Sequence, residues 1–216
     1  MAESGTQQVK VAVNVMRSRL TVIGFNIAVA SFQLARINEL PGGQPVSGVD
    51  HLVHAGVMTA LLLAMALSII AMVVYLLSGS MDPVGVCNHW SLVAGDLLMY
   101  LALASTVSGF FAPLGLSIDI LAANWPQKAA QIAILHTGLL AVGGLGWFFA
   151  AYVGPSVSIL RSPFSSQVNF RLLLAYAAVM LFLSWLHAHA TLIDDVSNPE
   201  FSFALFLFEL IQPFRW

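Results

Sequence analysis

The sequence predicts an all-α integral membrane protein: a bundle of five transmembrane helices with a short C-terminal interfacial helix. Three observations carry that expectation. Of 216 residues, 59% are hydrophobic and only 8% charged, and the mean hydropathy of +0.87 lies far above that of a water-soluble domain. Five apolar stretches approach or reach the about 17 to 25 residues that a helix needs to cross ~30 Å of hydrocarbon at ~1.5 Å per residue. The connections between them are short and rich in Pro and Gly, so residues 1–216 read as one membrane domain without a separate soluble part.

Each element follows in chain order. The amino-terminal MAESGTQQ has no basic segment leading into a short apolar run, so no cleaved signal peptide is expected. Lys10, Arg17 and Arg19 then precede a first span over about residues 20–36. NELPGGQPVSG, with Pro41 and Pro45 around paired glycines, makes an exposed loop. A second span over 55–77 is interrupted only by Thr59 and Ser68. The third, over 90–112, carries Asp96 and should be closed by Pro113 and Gly115, with LSIDILAAN a short amphipathic link. The fourth, over 129–153, holds His136 and the glycines Gly138, Gly143, Gly144 and Gly146, a small-residue pattern that lets helices approach closely; Gly154 and Pro155 should end it.

The fifth span, 172–193, lies within RLLLAYAAVMLFLSWLHAHATLIDD, whose end gathers His187, His189, Asp194 and Asp195. After it, Asn198 and Pro199 look like an N-cap and first helical residue for an interfacial helix over 199–211, too short to cross. Trp216 and Arg215 suit an interface.

Basic residues orient the bundle. Five spans put Lys10, Arg17, Arg19, Arg161 and Arg171 on one side and Arg36, Lys128 and Arg215 on the other, which predicts a cytoplasmic amino terminus and an outer carboxyl terminus in a bacterial-type inner membrane. Seven carboxylates, Glu39, Asp50, Asp119, Asp194, Asp195, Glu200 and Glu209, then fall outside, a face that favours cations over anions or simply keeps the loops solvated.

Counting along the helices places polar residues in two layers. The inner one holds Asn26, Ser68, Asp96 and Tyr176; the outer one holds Gln33, Ser105, Thr106, His136 and His187, with His54, His189, Asp194 and Asp195 above it. Hydroxyls at such depth commonly act as interhelical hydrogen-bonding groups. A carboxylate is different: Asp96 costs about 2.5–3.5 kcal/mol if ionised, so it must be paired, hydrated or protonated, and it suits a proton-transfer group or a cation ligand. Asp96 and Ser105 are nine residues apart and point to opposite sides, which excludes a straight polar stripe down span three. A path would run from Asn26 and Asp96 through Thr106 toward His136 and His187.

The histidines support a rival reading. His51, His54, His136, His187 and His189 collect toward the outer side with Asp194 and Asp195 nearby. His51 and His54, spaced i,i+3, would share a helix face. Imidazole with carboxylate suits zinc or copper, and His136 facing His187 could hold haem b. No HExxH, CxxCH, P-loop, GxGxxG or GxSxG occurs, and Cys87 is alone. No catalytic residue is assigned and no basic patch suits nucleic acid. The expectations are therefore a channel or transporter for protons or cations, a redox or metal-site membrane protein, or a non-enzymatic assembly subunit. Its surroundings would be the lipid bilayer and a homo-oligomer or larger membrane complex.

Overall fold

The computed structural model describes residues 2–41, 43–81, 89–194 and 200–216. It is 85% helical, and the described residues form no strand beyond an isolated bridge between Gln44 and Val53. The helices are α1 (Ala2–Ala35), α2 (Ala55–Met81), α3 (Ser91–Asn124), α4 (Ala129–Phe148), α5 (Gly154–Leu160), α6 (Ser166–Asp194) and α7 (Phe203–Glu209). Five segments are long and apolar enough to cross a membrane: Asn14–Ala35, Ala55–Met81, Ser91–Asn124, Pro126–Leu160 and Ser166–Asp194. Successive segments alternate in direction, so α1 starts, α2 ends and α3 starts at what is called here the amino-terminal face.

Helix α3 is the most buried of the five. Against it and α1, α2 turns a stripe of small side chains, Ala60, Ala64, Ser68, Ala71 and Ser78, each at most 1% exposed. Without a hydrophobic force between helices in lipid, such close backbone approach is what holds them. Gly109 shows how close it is: a Cβ there would stand 2.6 Å from Leu61 Cδ2, and Leu61 is itself fully buried. In the fourth segment, a Cβ at Gly143 would strike the Phe111 ring at 2.5 Å and one at Gly144 would meet Pro213 at 3.1 Å. Gly138 and Gly146 have nothing within 4 Å, so no close contact depends on those two.

Neither proline ends its helix. α3 continues through Pro113 to Asn124, absorbing the stretch expected to be a separate link. A helix in an apolar setting has strong reason to continue, because a frayed backbone there finds no water. The fourth segment also runs on, through a π-helical turn at Phe149–Val153 into α5, with Pro155 in the first turn of α5. In α-helical register Pro155 would deprive the Ala151 carbonyl of its N–H donor. Tyr176 of α6 supplies the replacement, its hydroxyl donating to that carbonyl.

The C-terminal segment departs furthest from expectation. The proposed cap at Asn198 and Pro199 lies outside the described residues; α7 begins at Phe203, with Ser202 Oγ accepting from Leu205 N at 3.1 Å. The segment does not lie flat along the end of the bundle. It descends among the long helices to Ser108, midway along α3, and to Gly144, then turns through a 3-10 helix at Gln212–Arg215. Tyr152 donates to the Leu210 carbonyl, and Trp216 stacks on Phe111 with ring centroids 5.7 Å apart. This is a re-entrant element. Glu209 and Gln212 are buried in it, whereas Phe203 and Phe214 point outward.

Gly109→Ala should lower the thermal midpoint of the protein in detergent, because overpacking costs about 1–3 kcal/mol against roughly 0.5–1 kcal/mol gained in helix propensity. Gly146→Ala, which meets no neighbour, should match or exceed the wild type. Equal midpoints for the two variants would refute the close α2–α3 approach.

Candidate functional site

Two polar centres stand at different depths. The first lies toward the amino-terminal face, where Arg19 of α1 reaches Asp96 of α3 through Nε to Oδ1 at 2.5 Å and Nη2 to Oδ2 at 2.6 Å. Tyr75 of α2 donates its hydroxyl to Oδ1, and the guanidinium carbon sits 5.9 Å from the Tyr75 ring centroid. Gly95 makes room for that ring, since a Cβ there would stand 2.7 Å from it. Asp96 is thus doubly bonded to a cation and hydrogen-bonded to a phenol, which answers the cost of burying a carboxylate. One turn or two deeper, Asn26 Nδ2 donates to Ser68 Oγ at 3.0 Å.

The second centre is a half-open cavity of about 290 Å³ in the opposite half of the bundle. It reaches from Pro41 and Gly43, in the loop before α2, down to Ser108 and Gln212 at mid-bundle. Its polar wall is formed by His54, His187, Thr191, Asp194 and Glu209; among the described residues lining it, none is Lys or Arg.

Asp194, Glu209 and Thr191 are held by identifiable contacts. Asp194, the last residue of α6, accepts from Ala55 N at 2.8 Å and Gly56 N at 2.7 Å, capping the first turn of α2 from another helix. Gln44 Nε2 donates to the Asp194 carbonyl at 2.6 Å, and Gln44 pairs with Val53 through both backbone bonds, so the loop is stitched to the end of α6. Below, Ser108 donates to Gln212 Oε1, Gln212 Nε2 to Glu209 Oε2 at 3.1 Å, and Thr191 Oγ1 to Glu209 Oε1 at 3.2 Å. This chain ties α3 to the re-entrant segment and to α6. Beneath it a space of about 30 Å³, room for one water, is lined by Ser105, Ser184 and again His187, Glu209 and Gln212. Glu209 therefore stands between two cavities.

The residues expected to form one path are not brought together. Thr106 turns its hydroxyl back to the Ala102 carbonyl at 3.1 Å and lines neither cavity. The interval between Asp96 and the cavities is filled by Leu97, Leu101, Leu172 and Leu183, a packed apolar plug. His187 lines both cavities, but His136 lines neither; its buried Nε2 lies near the place where a Gly115 Cβ would stand, beside the Trp216 main chain. The two line no common cavity among these.

The wider histidine cluster disperses too. His51 is exposed and His54 buried, because residues 51–54 precede α2 and the i,i+3 spacing has no helix to act on. His189 is exposed, tilted by 54° against the Trp185 ring and stacked on Phe201, with Nδ1 2.9 Å from the Trp185 carbonyl. Asp195 lies outside the described residues. Among the described residues no three His, Cys, Asp or Glu side chains form a metal-holding group.

Glu209, Gln212 and Ser108 are the additions that sequence reasoning missed. The signal was there in FALFLFELIQPF: a carboxylate inside an apolar run too short to cross is costly at an interface of lipid tails and cheaper when re-entrant and hydrogen-bonded.

Arg19→Ala and Asp96→Ala should each cost about 3 kcal/mol, since each strands a buried charge, whereas the double Arg19→Ala, Asp96→Ala variant should lose much less than their sum. Additive losses in a denaturation cycle would show that the two groups do not act as a pair. No protein-family model, curated protein or solved structure matches the chain.

Proposed function

We propose that the chain is an integral membrane transporter for protons or cations, with the amino-terminal face toward the cytoplasm of a bacterial-type cell and the cavity open toward the other side. Arg17, Arg19, Arg161 and Arg171 gather at the amino-terminal face, which supports that orientation. The observation that carries the reading is the cavity wall: two carboxylates and two imidazoles without a described Lys or Arg, ending at the buried carboxylate of Glu209. Such a wall raises the local concentration of cations and repels anions.

In this reading Glu209 is the station where a cation or proton waits. His187 and Gln212 stand with it between the large cavity and the small one, so a proton or cation moving inward passes this carboxylate. Beyond the small space, the leucine plug and the Arg19–Asp96–Tyr75 cluster close the amino-terminal half. The arrangement corresponds to one end state of an alternating-access cycle, open on one side and shut on the other. Transfer then requires α1, α2 and α3 to part around the ion pair, which makes Asp96 a closing contact and not a wall of an open pore.

The test is flux in proteoliposomes carrying a lumenal pH dye, with a potassium diffusion potential as driving force. Wild-type protein should move protons or exchange them for an added cation. Glu209→Gln, which removes the charge and keeps one of the two acceptor oxygens, should reduce the rate at least about tenfold, as expected for loss of a charge-assisted contact. Well-folded wild-type protein no faster than empty liposomes, with every cation tried, would reject the reading.

A further inference from the structure

We propose that the small space beneath Glu209 is a site for one water molecule, and that the ion passed inward there is a proton and not a metal cation. The water site stands on its own geometry. The proton assignment rests on the transport reading and narrows it.

Two side chains point to a ligand in this space. Ser105 of α3 and Ser184 of α6 both line it, are 8% and 4% exposed, and find no hydrogen-bond partner for their hydroxyls among the described residues. Their neighbours on α3 behave differently, since Thr106 and Ser108 each donate to the backbone carbonyl four residues back. A buried hydroxyl without a partner is disfavoured, so a ligand that bonds to both hydroxyls is held by both. Gln212 supplies a third contact. Its Oε1 accepts from Ser108 and one N–H of Nε2 goes to Glu209, which leaves the second N–H of the amide. Two hydroxyls that donate or accept, with one amide donor, match water, and buried waters make about three such bonds. The size agrees, since the space of about 30 Å³ exceeds the about 10–15 Å³ needed to hold one water.

The same space decides between a proton and a metal cation. Glu209 lines it, and both carboxylate oxygens already accept, Oε1 from Thr191 and Oε2 from Gln212. A hard metal cation takes about six or more oxygen ligands, so it would have to draw these oxygens away from their donors. Nor does a space of about 30 Å³, with Leu101, Met180 and Leu183 in its lining, admit an ion with its water shell. A proton needs neither a vacant ligand position nor added volume, because it moves by exchange of O–H bonds. In that step the O–H bond of protonated Glu209 breaks as one forms to the water. The water passes a proton of its own to solvent that reaches Ser105 and Ser184 when the leucine plug parts. Glu209 is left as a carboxylate and regains a proton from water in the large cavity. Ser105 and Ser184 are positioning residues, acting through the water they hold.

The test uses the full chain in proteoliposomes with a lumenal pH dye, driven by a gradient of N-methylglucammonium thiocyanate, whose permeant anion sets the potential without a metal cation. Wild-type protein should acidify the lumen, and added sodium, potassium or magnesium should leave the rate unchanged. The double Ser105→Ala, Ser184→Ala variant, which removes both hydroxyls and keeps the space, should run at least about tenfold slower. Infrared difference spectra of the wild type between acid and neutral pH should show a water O–H band that shifts in heavy-oxygen water and is missing from the variant. Flux that needs a metal cation, or proton flux untouched in the folded double variant, would overturn the proton assignment and leave transport standing. No isotope-sensitive band in the wild type would overturn the water site. No flux of any ion would remove the transport reading and the proton assignment with it, and the infrared band alone then decides the water site.

Discussion

The hydrogen-bonded chain from Ser108 through Gln212 and Glu209 to Thr191 is the constraint on which the far half of the bundle depends. A re-entrant segment carries backbone and side-chain polar groups into a setting where water cannot satisfy them, and it persists there only if other helices do so. Here α3 receives the glutamine, α6 the carboxylate, and Tyr152 the carbonyl of Leu210. These bonds hold α7 against α6 and the turn at Gln212–Arg215 against α3 and α4, and give the cavity its floor. Without that floor the space above would be an open groove between helices.

The amino-terminal half is built on the opposite principle. Ser68, Ala71 and Ser78 of α2 and Ile23 of α1 are packed tightly there, and Arg19 and Asp96 form an ion pair in it, with Arg19 Nη1 buried and unbonded among the described residues. Dispersion and one ion pair make it dense. The far half is looser because its polar groups bond across gaps between elements instead of along a packed seam. The proposed transport role would use this division, since one half must admit a solute while the other excludes it.

The five apolar segments were legible in the sequence because length and hydropathy alone determine whether a helix can cross a membrane. Asn26 and Ser68 fell in one layer by counting, and the structure bonds them. Boundaries at proline were misread: Pro113 and Pro155 suggest helix ends in water, but in an apolar setting a helix that runs on loses one bond and a helix that ends loses several. Partners separated by long stretches of chain were also hidden. Nothing local in Asp96 indicates Arg19, seventy-seven residues away, or in Glu209 that it returns to mid-bundle. The histidines misled for a related reason, since similar depth on different helices does not make side chains face one another.

The cap that Asp194 places on α2 has a consequence for biosynthesis. The first turn of α2 receives its carboxylate partner from a residue 139 positions later, at the end of the last long helix. Until α6 has been made, those amides lack their carboxylate partner, and the loop before α2 has no Gln44–Asp194 tether. Helices α1 to α3 can already close their small-residue seam and their ion pair, since every group in it lies before residue 125. The α1–α3 seam can therefore form before α6 exists, whereas the leucine plug and the mouth of the cavity are both completed only when α6 arrives.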